Sequence, residues 1–79
     1  MQVRLIAYGI AREIVQTREL QLEIPGPTIG QLREELMARY PTFGQLRSLS
    51  FAVNEAYRDD GYALQDHDEV VIIPPVSGG

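Results

Sequence analysis

The sequence predicts an α+β fold in which one main helix packs across a mixed β-sheet. Three features predict it. Two alternating apolar/polar segments lie within residues 1–24, a capped amphipathic helix follows, and a β-branched run, Val70-Val71-Ile72-Ile73, stands near the C-terminus.

In the first alternating segment, residues 1–8, Val3, Leu5 and Ala7 point one way, and Gln2, Arg4, Ile6 and Tyr8 point the other. That is strand periodicity. Gly9 through Val15 break the pattern and read as a turn or short helical loop. Residues 17–24 alternate again, with Leu20, Leu22 and Ile24 opposite Glu19, Gln21 and Glu23. Two such segments in succession predict an antiparallel hairpin. Pro25-Gly26-Pro27 stops the second strand.

Thr28 is placed as an N-cap, and Gln31 three residues on completes a capping box. Ile29, Leu32, Leu36 and Tyr40 recur at helical spacing, with Arg33, Glu34, Glu35 and Arg39 left for the wet side. Pro41 ends the helix at Tyr40. Gly30 is its weak point, since glycine costs about 1 kcal/mol against alanine in a helix. Thr42 to Ser48 read as loop, and Leu49 to Asn54 hold a short strand around Phe51-Ala52-Val53. Asp59-Asp60-Gly61 signals a turn within Tyr57 to Leu64, and Asp66-His67-Asp68-Glu69 forms another polar turn.

Val70 to Ile73 then read as a strand buried on both faces at the centre of the sheet. For that strand to be central it lies beside the first, most simply parallel to it. The resulting arrangement is the β-grasp, or ubiquitin-like, fold. Residues 1–73 form the domain and 74–79 a C-terminal tail. Leu5, Leu20, Leu22, Ile29, Leu32, Leu36, Val53 and Val71 are expected in the core.

A chain of 79 residues buries only about 60–65% of its unfolded surface, which leaves room for one modest core and no deep cleft. It contains no cysteine. Disulfides, thiolate metal sites and thiol nucleophiles are thereby excluded, and any sulfur chemistry uses sulfur from elsewhere. His67 is the single histidine, too few for a histidine metal site. The net charge of −4 argues against nucleic acid and anionic membranes, and favours a basic protein partner. No stretch has the pattern of a signal peptide or a membrane span, so a cytoplasmic location is expected.

Conventional catalytic patterns are missing. Gly9, Gly26, Gly30, Gly44 and Gly61 are isolated and make no phosphate loop. Ser48, Ser50 and Ser77 lack a nucleophile-elbow context. Asp66, Asp68 and Glu69 lack calcium-loop spacing and read as a solvated turn.

The C-terminus stands apart because its parts cooperate. Pro74-Pro75 fixes two φ angles and favours an extended path away from the body. Val76 suits an apolar pocket, and Ser77, Gly78 and Gly79 form a thin end. Without Cβ atoms, the two glycines pass through a channel too narrow for other residues. Six residues from Pro74 span on the order of 20 Å. The alternative is a β-grasp interaction module whose glycines are a frayed end.

The chain resembles the small subunit of molybdopterin synthase, a ubiquitin-like sulfur carrier family, nearly end to end. The strongest match runs from Leu64-Gln65-Asp66-His67-Asp68-Glu69-Val70 into Ile72-Ile73-Pro74-Pro75-Val76-Ser77-Gly78-Gly79. Ala11-Arg12-Glu13-Ile14-Val15 and Ala52-Val53-Asn54 agree more weakly. Ile72-Ile73 replace a pair that is often aromatic, and Tyr57 stands where an aliphatic residue is common.

The resemblance implies that an ATP-dependent enzyme adenylates the Gly79 carboxylate and that a sulfur donor protein converts it to a thiocarboxylate. The tail of Pro75, Val76, Ser77 and Gly78 then threads into the large, catalytic synthase subunit. There Gly79 gives sulfur to a cyclic pyranopterin monophosphate, the precursor of the molybdenum-binding dithiolene. The chain itself is expected to bind no cofactor or metal and to be the sulfur-donating, non-catalytic subunit of a heterotetramer. Tyr8, Tyr57 and Ile73 match an apolar docking patch in the family, and Arg12 matches a position that pairs with an acid on the activating enzyme. Carriers for the thiazole of thiamin, and ubiquitin-like modifiers joined to lysine, share the Gly-Gly end and remain alternatives.

Overall fold

The computed structural model describes residues 1–75 of the chain. Its elements are β1 (Gln2–Ala7), α1 (Gly9–Val15), β2 (Glu19–Glu23), α2 (Ile29–Arg39), a 3-10 turn (Pro41–Gln45), β3 (Ser50–Val53), β4 (Ala56–Arg58) and β5 (Glu69–Ile73). The strands form one sheet in the order β2-β1-β5-β3-β4. β5 is central and runs parallel to β1, with Leu5 opposite Val70 and Ala7 opposite Ile72. The other pairs are antiparallel. This is the β-grasp arrangement expected from the element order.

One face of the sheet carries the core. Val3, Leu5, Ala7, Leu22, Phe51, Val53, Val70 and Ile72 pack against Ile29, Leu32 and Leu36 of α2. Each such buried valine, leucine, isoleucine or phenylalanine side chain contributes about 1.5–3 kcal/mol over its exposed state. α1 adds Ala11 and Val15, and the 3-10 turn adds Phe43. From sequence the first read as a turn or short helical loop and the second as loop. α1 is only seven residues long, too short to hold a helix by propensity, so packing of its Ala11/Val15 pair stabilises it. Its presence makes the β1–β2 connection longer than a hairpin turn.

Three expected burials need correction. Val71 is half-buried, because no helix covers the second face of β5; its burial alternates with the strand period. Leu20, in β2 at the sheet edge, is also half-buried. Ile6, assigned to the outward set, is only 8% exposed.

The helix start follows the sequence. The Gln31 N–H donates to Thr28 Oγ1 and the Thr28 N–H to Gln31 Oε1, both at 3.2 Å. Two otherwise orphaned donors are thereby satisfied. Gly30 has a packing reason: its N–H donates to the Asp60 carbonyl at 2.9 Å, and a Cβ there would stand 3.3 Å from that oxygen. Arg33 is not on a wet face as expected. Its guanidinium lies 5.2 Å from the Phe51 ring centroid, pairs with Asp60 at 2.9 Å, and donates to the Leu49 carbonyl. One side chain thus ties α2 to the strand below it and to the loop before Leu64.

The segment leading into β5 is held from two sides. Asp68 Oδ2 accepts from the Gln65 N–H at 2.8 Å, and Asp68 Oδ1 accepts from Asn54 Nδ2 at 3.0 Å. Asn54 sits in the β3–β4 turn, where it and Glu55 both have positive φ, 49° and 72°. That geometry matches the twist of a two-residue hairpin. These bonds fix where β5 begins, and so the register of the strand that ends at the tail.

Candidate functional site

Because β1 and β5 are parallel, their C-terminal ends lie at the same edge of the sheet. β5 ends at Ile73, and Pro74 and Pro75 follow, both half-buried. Val76, Ser77, Gly78 and Gly79 lie outside the described residues. Proline's fixed φ and missing N–H end the ladder there and set the direction in which the chain leaves.

The uncovered face of the sheet divides along the strands. Ile6 is opposite Val71, Val71 opposite Ala52, and Ala52 opposite Tyr57. One apolar row therefore crosses four strands. Ile73, opposite Ser50, lies beyond it on the tail side, and Tyr8 directly follows the Ala7–Ile72 pair. Toward the other end the rows turn polar. Arg4 is opposite Gln21 and Glu69, and Gln2 is opposite Glu23. Arg4 pairs with Glu19 at 3.1 Å and Glu69 at 3.7 Å. Exposed pairs of this kind add at most about 1 kcal/mol of stability. Their main effect here is to give the apolar half a charged border.

The strand register places Tyr57 and Ile73 on this one face, and Tyr8 follows β1 at the same end. Tyr57 is 70% exposed and Tyr8 52%, while Ile73 is half-buried. Exposed aromatics of this kind are enriched, as a general matter, at the cores of protein–protein interfaces. Arg12 is on the neighbouring helix rather than on the sheet. It is exposed in the last turn of α1, which starts one residue after Tyr8, and it forms no ion pair among the described residues.

Sequence reasoning missed three contributors to the row, Ile6, Ala52 and Val71, and missed Ile10, which is 45% exposed in the first turn of α1. A signal for Ile6 was present: it is an isoleucine in a set otherwise made of Gln2, Arg4 and Tyr8. Val71 was hidden because its neighbours in sequence are equally apolar. Among the described residues, no group of three histidine, cysteine, aspartate or glutamate side chains is placed to hold a metal ion. No helix among them is long and apolar enough to cross a membrane.

Comparison with known proteins agrees with this geometry. The ThiS family model matches residues 5–79. The molybdopterin synthase sulfur carrier subunit of Arabidopsis thaliana is 35% identical over 81 residues, covering 100% of this chain and 84% of that protein. A structure from Pyrococcus furiosus, described as a candidate molybdopterin converting factor subunit 1, superposes with a TM-score of 0.85 at 26% identity, covering 96% of this chain and 99% of that one. A chain in the complex of subunits 1 and 2 of the molybdopterin-converting factor from Helicobacter pylori shares the fold, with a TM-score of 0.68 at 22% identity over 100% of both chains. With the family model spanning nearly its whole length and a sulfur carrier subunit more than 30% identical to it, the chain belongs to the ThiS family, in the branch of the molybdopterin synthase small subunits.

Proposed function

We propose that this chain is the sulfur carrier subunit of a molybdopterin synthase and that its reactive group is the Gly79 carboxylate. The observation that carries the reading is the join between tail and sheet. The central strand runs straight into Pro74-Pro75 and the Gly-Gly end, and the apolar half of the uncovered face surrounds its exit. A partner docked on that face receives the tail. The sulfur carrier role of the Arabidopsis relative supports the same reading.

In the proposed cycle, the Gly79 carboxylate attacks the α-phosphorus of ATP on an adenylating enzyme, and pyrophosphate leaves. Sulfur from a donor protein then displaces AMP, leaving a thiocarboxylate. Gly78 and Gly79 present this group without steric hindrance. The loaded tail, Pro75 to Gly79, enters the large subunit and gives its sulfur to the cyclic pyranopterin monophosphate. Two loaded carriers serve each dithiolene. Two small and two large subunits make the assembly, in the cytoplasm. Residues 1–73 are the docking body and 74–79 the delivery tail. Tyr8, Tyr57 and Ile73 hold the partner, and Arg12 pairs with an acid on the activating enzyme. The partner supplies the catalytic groups.

Intact-mass measurement tests the reading. The chain is incubated with ATP, the adenylating enzyme and a sulfur source. The expected product is heavier by the difference between sulfur and oxygen, with the change mapped to Gly79. An unchanged mass beside an activating enzyme that loads a control carrier sinks the proposal. Supplying the loaded chain with the large subunit and the pyranopterin then separates this pathway from thiazole synthesis.

A further inference from the structure

Once activated, an acyl group at Gly79 reacts with any unhindered amine as well as with sulfur. The composition of this chain bears on that hazard. All seven of its basic Lys or Arg positions are arginine; the 79 residues contain neither lysine nor cysteine. A guanidinium stays protonated at every relevant pH and has no lone pair to give. Serine, threonine and tyrosine hydroxyls are weak nucleophiles without an adjacent base.

The remaining primary amine in this sequence is the α-amine of Met1, and the structure holds it. It pairs with Glu23 Oε2 at 2.5 Å and donates to the Ile24 carbonyl at 3.0 Å. Acylation would remove the positive charge and leave Glu23 without its ionic partner. Two of the arginines are exposed at the end of the sheet from which β5 exits. Arg12 is exposed on α1, next to the end of β1. Arg18 is exposed, and its carbonyl accepts from the Ala7 N–H at 2.8 Å, at the same edge from which the parallel β5 exits.

We propose that this surface excludes amine acceptors for the chain's own activated terminus, so that copies are not joined to one another by isopeptide bonds. The inference rests on the reading of Gly79 as an activated carboxyl group. It deepens that reading by fixing the acceptor class: sulfur, and not a second copy of this chain. The excluded reaction balances simply. An amine nitrogen bonds to the Gly79 carbonyl carbon, the carbon–oxygen bond to phosphate breaks, AMP leaves with the electron pair, and the amine proton goes to solvent.

The test uses the full chain carrying a C-terminal thioester at Gly79, made without the activating enzyme. A peptide with one lysine, at matched concentration, calibrates amine reactivity. Wild type is expected to capture the peptide and to hydrolyse, with no amide-linked pair of chains by intact mass or denaturing gel. Arg12→Lys and Arg18→Lys keep the charge and should each yield linked pairs mapped to the new lysine. Linked pairs in wild type overturn the proposal, as do lysine variants that stay unlinked while the peptide is captured. Because the thioester bypasses enzymatic loading, failure here leaves the sulfur-carrier reading standing, and failure of loading leaves this result standing.

Discussion

The two faces of the sheet are built from alternating residues of the same strands, and they have opposite fates. On β5, Val70 and Ile72 are buried under α2 while Val71 and Ile73 remain half-exposed beside Tyr57 and Tyr8. All four are β-branched and apolar. Residue type therefore does not separate core from uncovered face here; the position of one helix does. Apolar side chains that the helix leaves uncovered remain available to a partner.

The comparison is broken or sharpened first at adjacent residues. Ile72→Ala removes atoms from the covered face and should destabilise the fold by about 2–5 kcal/mol, read by thermal or urea unfolding. Ile73→Asp, one residue on, should leave most of that stability while removing binding to the large subunit. Similar losses of stability in both variants would show that the open face is core after all. Tyr57→Asp comes next. A central aromatic anchor is worth about 2 kcal/mol or more, so partner affinity by calorimetry should fall at least about tenfold with the melting point nearly unchanged. Equal binding by this variant removes Tyr57 from the interface.

Thr28→Ala acts on the covered side only. Loss of the cap should cost about 1 kcal/mol in chemical denaturation and leave partner affinity as it was. The smallest effect is expected at Glu55, which has φ 72° in the β3–β4 turn. Glu55→Gly should stabilise the chain by about 0.5 kcal/mol, since relief of the left-handed conformation is partly offset by the chain entropy that glycine loses on folding. A drop in melting temperature would mean that the Glu55 side chain makes a contribution its backbone strain conceals.

Local rules made much of the fold legible. The alternation in β1 and β2, the Thr28–Gln31 box, the stop at Pro41 and the Asp59–Gly61 turn each depend on neighbours within a few residues. Their signals therefore survive in one dimension. The 3-10 turn did not, and α1 was legible only as a turn or short helical loop, because five and seven residues carry too little propensity to outweigh helix initiation. They exist because Ala11, Val15 and Phe43 find a core assembled from distant segments. Arg33 is similar: helical spacing assigned it to solvent, and contacts with Asp60, Leu49 and Phe51 drew it inward.

The candidate site divides the same way. The chemistry of its terminal motif, Pro74 to Gly79, and the lack of thiols and of lysines are properties of the chain itself, since covalent composition needs no folding to be expressed. Tyr8, Tyr57 and Ile73 were singled out through family likeness, not through pattern. That they share one face with Ile6, Ala52 and Val71 was decided by the tertiary structure, because only strand order and register bring residues so far apart in sequence into a single row.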